Sequence, residues 1–360
     1  MKRRAIVHRL PMAGPDDASA LVAEIEAGRI DPAGLRAVLG KTEGNGCVND
    51  FTRGYAVQSL RLALAPYLSD DVLGALPMVM SGGTEGGLSP HWIVLEEGEG
   101  PDGPPALAFA ASLTASLPPQ AIGRMAQVQA VRDATRDAMR KAGITYAADV
   151  HFVQIKCPLL TSERIAAAGG DVATTDTLKS MGLSRGASAL GVALALGEVA
   201  PEQLSDAVIG QDWSLWSARA SCSAGVELTA CEVVVMGQSA DWAGDLRIGH
   251  AVMRDAIDAG SVADLLDLVE PGFRAQLTPP SQTQVLAVLA KTEASPDGMI
   301  RGARHVMLED SDLSATRHAR GFTGGLLAGL TGFTELFVSG GAEHQGPSGG
   351  GPCAMIYKTS

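Results

Sequence analysis

The sequence predicts an α+β protein built from three homologous domains, and three observations lead there. Three short patterns each occur three times in the order Lys, Arg, Ser. The repeated lysines, Lys41, Lys156 and Lys291, lie 115 and 135 residues apart, near one third of the 360-residue chain. Helical and strand periodicities alternate between them. A solenoid repeats every ~20–50 residues, so a period this long indicates copies of a whole domain.

The patterns are specific. The first is an apolar run ending in Lys: Val38-Leu39-Gly40-Lys41, Val153-Gln154-Ile155-Lys156 and Val288-Leu289-Ala290-Lys291. The second is Arg-Gly opening a small-residue helix: Arg53-Gly54, Arg185-Gly186 and Arg320-Gly321. The third is Ser81-Gly82-Gly83-Thr84-Glu85, Ser223-Ala224-Gly225-Val226-Glu227 and Ser339-Gly340-Gly341-Ala342-Glu343. Helices are expected near 16–26, 120–142 and 251–268; Ile122, Met125, Val128, Val131 and Ala134 give the second an apolar stripe. Pro and Gly around 99–105 and the stretch 245–250 suggest boundaries, giving domains 1–104, 112–249 and 255–360.

Composition narrows the function. With 46% hydrophobic residues the chain can fill a large core, and with 4% aromatics and 43 glycines that core is made of Ala, Val, Leu and Ile with close backbone approaches. A net charge of −12 argues against nucleic acid and anionic membrane partners. Met-Lys-Arg-Arg followed by Ala5-Ile6-Val7 is too short for a secretory signal. The stretch 187–196 falls short of the ~18–20 apolar residues that span a bilayer, so a soluble, cytoplasmic protein is expected. Cys47, Cys157, Cys222, Cys231 and Cys353 are odd in number and form no CxxC, which suits reduced thiols and neither a disulfide nor zinc.

Lys156 alternates with apolar neighbours along a strand, which makes it partly desolvated. Ser81 and Ser339 stand where an apolar strand meets a small-residue turn, a place for a nucleophile beside free backbone amides, and a Lys of depressed pKa can serve it as base; the run 217–222 before Ser223 is less apolar. The pattern Gly98, Gly100, Gly103 satisfies GxGxxG, but Pro101 and Asp102 fill it and no helix follows, which argues against a dinucleotide site.

Four stretches, 40–50, 156–161, 184–191 and 339–347, closely resemble the cyanuric acid amidohydrolase and barbiturase family of ring-opening amidohydrolases, and the likeness runs along the whole chain. The resemblance implies pseudo-threefold symmetry, with sheets forming a central barrel-like core and helices outside. It also implies one Lys, Arg and Ser from each domain at one site: Ser223 as nucleophile, Lys156 as its base, and Arg53, Arg185 and Arg320 with Ser81, Gly82, Ala224, Ser339 and Gly340 around the ring oxygens. Lys41 and Lys291 would meet ring nitrogens. The choice of Ser223 rests on the family, since Ser221 lies two residues earlier and only alignment of the copies excludes it.

The implied reaction opens cyanuric acid to carboxybiuret, which loses carbon dioxide to give biuret. The alternatives are barbiturase activity or a threefold protein that captures a ring without cutting it. No cofactor is implied for catalysis. A structural magnesium or calcium ion is, on Glu293 and oxygens of Ala342, Gln345, Gly346, Pro347 and Gly350. A homotetramer is implied as well.

Overall fold

The computed structural model describes residues 1–359. Its first sheet is formed by β1 (Lys2–Pro11), β2 (Leu35–Thr42), β3 (Met78–Gly82) and β4 (His91–Gly100), with helices α1 (Ser19–Glu26), α2 (Phe51–Leu64) and α3 (Asp70–Ala75). The second has β5 (Ala106–Leu113), β6 (Val150–Pro158), β7 (Ala220–Gly225) and β8 (Glu232–Ser239), with α4 (Met125–Lys141), α5 (Ser162–Ala167) and α6 (Thr177–Leu196). The third has β9 (Leu246–Met253), β10 (Val285–Thr292), β13 (Phe337–Gly340) and β14 (Gly351–Lys358), with α7 (Ala259–Leu266), α8 (Pro279–Gln282) and α9 (Ala315–Thr331). A two-stranded ribbon, β11 (Met299–Ile300) and β12 (Ala303–Arg304), lies within it.

The strand orders are β1-β4-β2-β3, β5-β8-β6-β7 and β9-β14-β10-β13, one topology used three times. In each sheet the Lys strand pairs in parallel with the Ser strand and antiparallel with the last strand. A parallel pair needs a crossover, and α2, α6 and α9, which carry the arginines, supply it. Even the register slip at the start of β2, β6 and β10 recurs.

Period-two alternation divides the first and third sheets between two environments, while both faces of the second lie in the shared core. Ala37, Leu39 and Val79 of the first sheet, Val153 and Val233 of the second, and Leu289 and Phe337 of the third pack into one shared core. On the opposite faces Leu21, Leu60 and Leu64 cover Val38 and Met80, and Val262 and Leu327 cover Val288 and Val338. Truncating a fully buried side chain such as Leu60 to Ala costs about 2–5 kcal/mol. Gly191 of α6 lets α4 approach, since a Cβ there would stand 2.7 Å from the Val128 carbonyl oxygen.

Three expectations change. The second sheet begins at Ala106 and the third at Leu246, before positions 112 and 255, because first strands carry no motif. The helix expected over 251–268 starts only at Ala259, since 251–253 complete β9. No strand of one four-stranded sheet pairs with another sheet among the described residues, so the core is not a closed hydrogen-bonded barrel. The helix expected over 120–142 is α4, preceded by a short 3-10 turn at Pro119–Ala121. No helix among the described residues is long and apolar enough to cross a membrane.

Candidate active site

Strand register brings the repeated lysines and serines together. Lys41 is the direct partner of Ser81, Lys156 of Ser223 and Lys291 of Ser339, so each pair shares a sheet face. All three lysines are buried to 1% exposure or less. The serine hydroxyls converge: Ser223 Oγ is 2.9 Å and Ser81 Oγ 3.3 Å from Ser339 Oγ.

The lysines reach different partners. Lys291 Nζ donates to Ser339 Oγ and the Gly340 carbonyl, both at 3.1 Å, and to the Cys222 carbonyl at 2.5 Å. Lys41 Nζ lies 3.5 Å from Ser81 Oγ. Lys156 Nζ donates to the Met80 carbonyl at 2.7 Å and ion-pairs with Glu227 Oε1 at 3.0 Å. No hydrogen bond joins Lys156 to Ser223 among the described residues; they are held as register neighbours.

Helix starts place the arginines. Asp50 caps α2 by accepting the Thr52 N–H, and its other oxygen accepts the Gly46 N–H, tying the 43–49 loop to the helix that bears Arg53. Asp176 caps α6 ahead of Arg185. The guanidinium of Arg185 forks onto Glu343 at 2.7 and 2.8 Å, and that of Arg320 onto Glu85 at 2.6 and 2.8 Å. Arg53 instead donates to the carbonyls of Ala224 and Cys47, with its Nε 3.8 Å from Glu227. Gly83 (φ +106°) and Gly341 (φ +78°) are required where they stand, because a Cβ would strike Arg320 and Arg185 respectively.

A small cavity of about 20 Å³ is lined by Ser81, Gly82, Ser223, Ala224, Ser339, Gly340, all three arginines, Gly46 and Met181. It opens into a vestibule of about 530 Å³ that shares Gly46, Met181, Arg185 and Arg320 and adds Cys47, Lys179 and Trp213. The lysines stand behind the serines. Ser221 lines neither cavity; it is the register partner of Gln154, one layer deeper.

Burial, followed by the Arg53 charge, holds the Lys156 amine below the ordinary lysine value, against the opposing pull of Glu227. Lys41 is lowered well below it by burial and then Arg320. Burial pushes the Glu227 carboxyl up, but Lys156 and Arg53 outweigh it and the group sits below the usual range. Glu232, the cross-strand partner of Lys156, is pushed up to about 7 by burial. The sequence reading counted only cations here. It gave the repeated glutamates no role, although their spacing of four after each Ser was the signal, and it passed over Met181.

The carboxyl-terminal loop is arranged around Glu293, whose Oε2 accepts the Ala342 N–H at 2.5 Å and whose carboxyl is raised to about 7 by burial and the nearby Glu343. Gln345 Oε1 accepts the Cys222 N–H, which ties this loop to the Ser223 strand. His344 (φ +59°) is buried between the Leu215 carbonyl and the Gly210 N–H, a structural position. No cluster of three His, Cys, Asp or Glu side chains occurs among the described residues. The five cysteines are free.

A fold with one sheet used three times, and a cavity ringed by serines and arginines with a buried lysine paired to each serine, define a class of hydrolytic site. The family model of amidohydrolase ring-opening proteins matches residues 6–358, and the chain belongs to that family. Cyanuric acid amidohydrolases of Bradyrhizobium sp. (strain ORS 375) and Azorhizobium caulinodans are 58% and 57% identical; the matches cover 99% and 98% of this chain and 98% of each relative. The crystal structure of the A. caulinodans cyanuric acid hydrolase superposes with a TM-score of 0.93 at 56% identity, over 99% of both chains. A second cyanuric acid hydrolase structure, described as an innovation by structural concatenation, gives 0.93 at 46% identity over all of both chains.

Proposed function

We propose that this enzyme opens the ring of cyanuric acid by hydrolysis, with Ser223 as nucleophile and Lys156 as its base. The observation that carries the reading is the single cavity on which three serines and three arginines converge. The substrate is a flat ring of three carbonyls and three ring nitrogens, which three like donor sets complement. The contacts are cyclic: Arg53 faces Glu227, Arg185 holds Glu343 and Arg320 holds Glu85, each reaching the next repeat in turn. This supports three units about a pseudo-threefold axis.

In this mechanism neutral Lys156 takes the Ser223 proton as Oγ forms a bond to a ring carbonyl carbon. Negative charge develops on the carbonyl oxygen beside the Ala224 backbone. Collapse breaks the ring C–N bond and Lys156 returns the proton to that nitrogen. Water then cleaves the acyl-enzyme to carboxybiuret, whose loss of carbon dioxide gives biuret. Among the three lysines, Lys156 alone ion-pairs with a carboxylate among the described residues, which supports its separate role. Hydrogen bonds of a base tighten when substrate arrives.

The loop chemistry fits a hard cation. Glu293 is a carboxylate that burial leaves short of positive charge, and oxygens of Ala342, Gln345, Gly346, Pro347 and Gly350 are the type such an ion takes. Magnesium or calcium there would tie the loop to β10. A cytoplasmic setting suits the free thiols, and exposed Phe51 and Tyr146 offer apolar surface for a homotetramer.

The test is incubation of purified protein with cyanuric acid and with barbituric acid, following ring absorbance and biuret. Biuret from cyanuric acid, abolished in Ser223→Ala with binding retained, is the expected result. Opening of barbituric acid alone, or full activity in Ser223→Ala, would overturn it.

A further inference from the structure

We propose that Met181 limits the size of ring that the site accepts, as a movable apolar wall between the small cavity and its vestibule. The proposal rests on the ring-opening reading and names a residue that sets substrate specificity within it.

The cavity needs a wall that yields. Its volume of about 20 Å³ is the room of about one water, which takes ~10–15 Å³. A six-membered ring carrying three carbonyls needs several times as much. The three serines, Gly46, Gly82, Gly340 and Ala224 have little or no side chain to withdraw. The arginines are held: Arg185 is forked onto Glu343, Arg320 onto Glu85, and Arg53 spans the carbonyls of Ala224 and Cys47. Met181 is the remaining residue of the lining, and its unbranched side chain turns about three bonds.

The backbone beneath it is fastened. Asp176 caps α6 by accepting the Lys179 N–H, and Ser180 Oγ accepts the Leu160 N–H, which ties the first turn of the helix to the chain just after β6. Met181 itself is 3% exposed and packs into the shared core. A change of its rotamer therefore enlarges the cavity while leaving Arg185, one turn further on, in place. Because Met181 lines both spaces, withdrawing it joins the small cavity to the vestibule of about 530 Å³.

This wall breaks the threefold pattern. Met181 stands four residues before Arg185, and the residues four before Arg53 and Arg320 are Asn49 and Thr316. Asn49 is exposed, with its amide oxygen on the Asn45 side chain, and Thr316 lines the vestibule only. The polar surround of the ring is thus apolar on one side, and the middle repeat supplies that side. Cyanuric acid turned by a third of a circle meets like donor sets, so a substituent on any one ring nitrogen can be brought round to Met181. A chain directed there enters the vestibule once the thioether is cut back.

The test compares the native enzyme, Met181→Leu and Met181→Ala on cyanuric acid and on the same ring with a propyl group on one nitrogen. The quantity read is the ratio of kcat/KM for the propyl ring to that for cyanuric acid. A folding defect lowers both alike and leaves the ratio where it was. Met181→Ala should raise the ratio by about 10–200-fold, the worth of a methylene's room in an apolar pocket. Met181→Leu, close to Met in volume, should stay near the native ratio. Calorimetric affinities for the two rings give the same comparison where turnover is slow. An unchanged ratio in Met181→Ala overturns the filter, as does an equal rise in Met181→Leu. If the native enzyme opens cyanuric acid, that failure falls on Met181 alone; if it opens no ring, the ring-opening reading falls and takes the filter with it.

Discussion

Replacing Lys156 by Met or Arg separates base from charge. Met removes the donor to the Met80 carbonyl and leaves Glu227 without its nearest cation. Breaking a buried pair costs about 3–5 kcal/mol, and both Glu227 carboxylate oxygens are buried from solvent, so the full penalty applies. Arg keeps the charge, so its stability loss should be smaller. Activity should fall equally in both, by about 10²–10⁴-fold, because guanidinium stays protonated. The native amine is lowered by burial and Arg53, so between its folded value and the ~10.4 of free Lys the unfolded chain binds more protons. Stability therefore rises with pH across that window, as does the fraction of free base. Thermal unfolding and kcat measured against pH check both slopes, which should be shallower for stability in Lys156→Met. An Arg variant far more active than Met would show that the position serves charge, and the base assignment would fall.

Ser81→Ala and Ser339→Ala should retain measurable turnover while weakening substrate binding, checked by kcat and KM separately; a covalent adduct mapped to either serine would move the nucleophile. Exhaustive chelation should lower the melting temperature through loss of a cation at Glu293, without abolishing activity once the protein is kept folded; unchanged melting after metal removal counts against the ion. Glu232 is pushed up to about 7, so the folded chain binds more protons between about 4.3 and that value, and stability falls as pH rises through the window. Glu232→Gln should therefore stabilise the protein by about 1–3 kcal/mol at pH 8 and have little effect at pH 4, read by denaturant unfolding.

Repetition made much of this protein legible from residues alone. Lys, Arg and Ser recur in order, and the structure pairs each Lys with its own Ser across a parallel ladder and ranges all three arginines around one cavity. Such motifs are local, and strand alternation already sets which side chains share a face. Tertiary structure decided which repeat meets which. Glu227 turns to Lys156 while Glu85 and Glu343 take arginines, although all three stand four residues after the same serine. A sequence pattern specifies the offset along the chain, but a partner from another repeat is chosen by how three sheets pack, and a buried charge takes whichever opposite charge that packing brings within reach. The starts of β5 and β9 were hidden for a related reason, since a first strand carries no motif and is defined only by the ladder it completes.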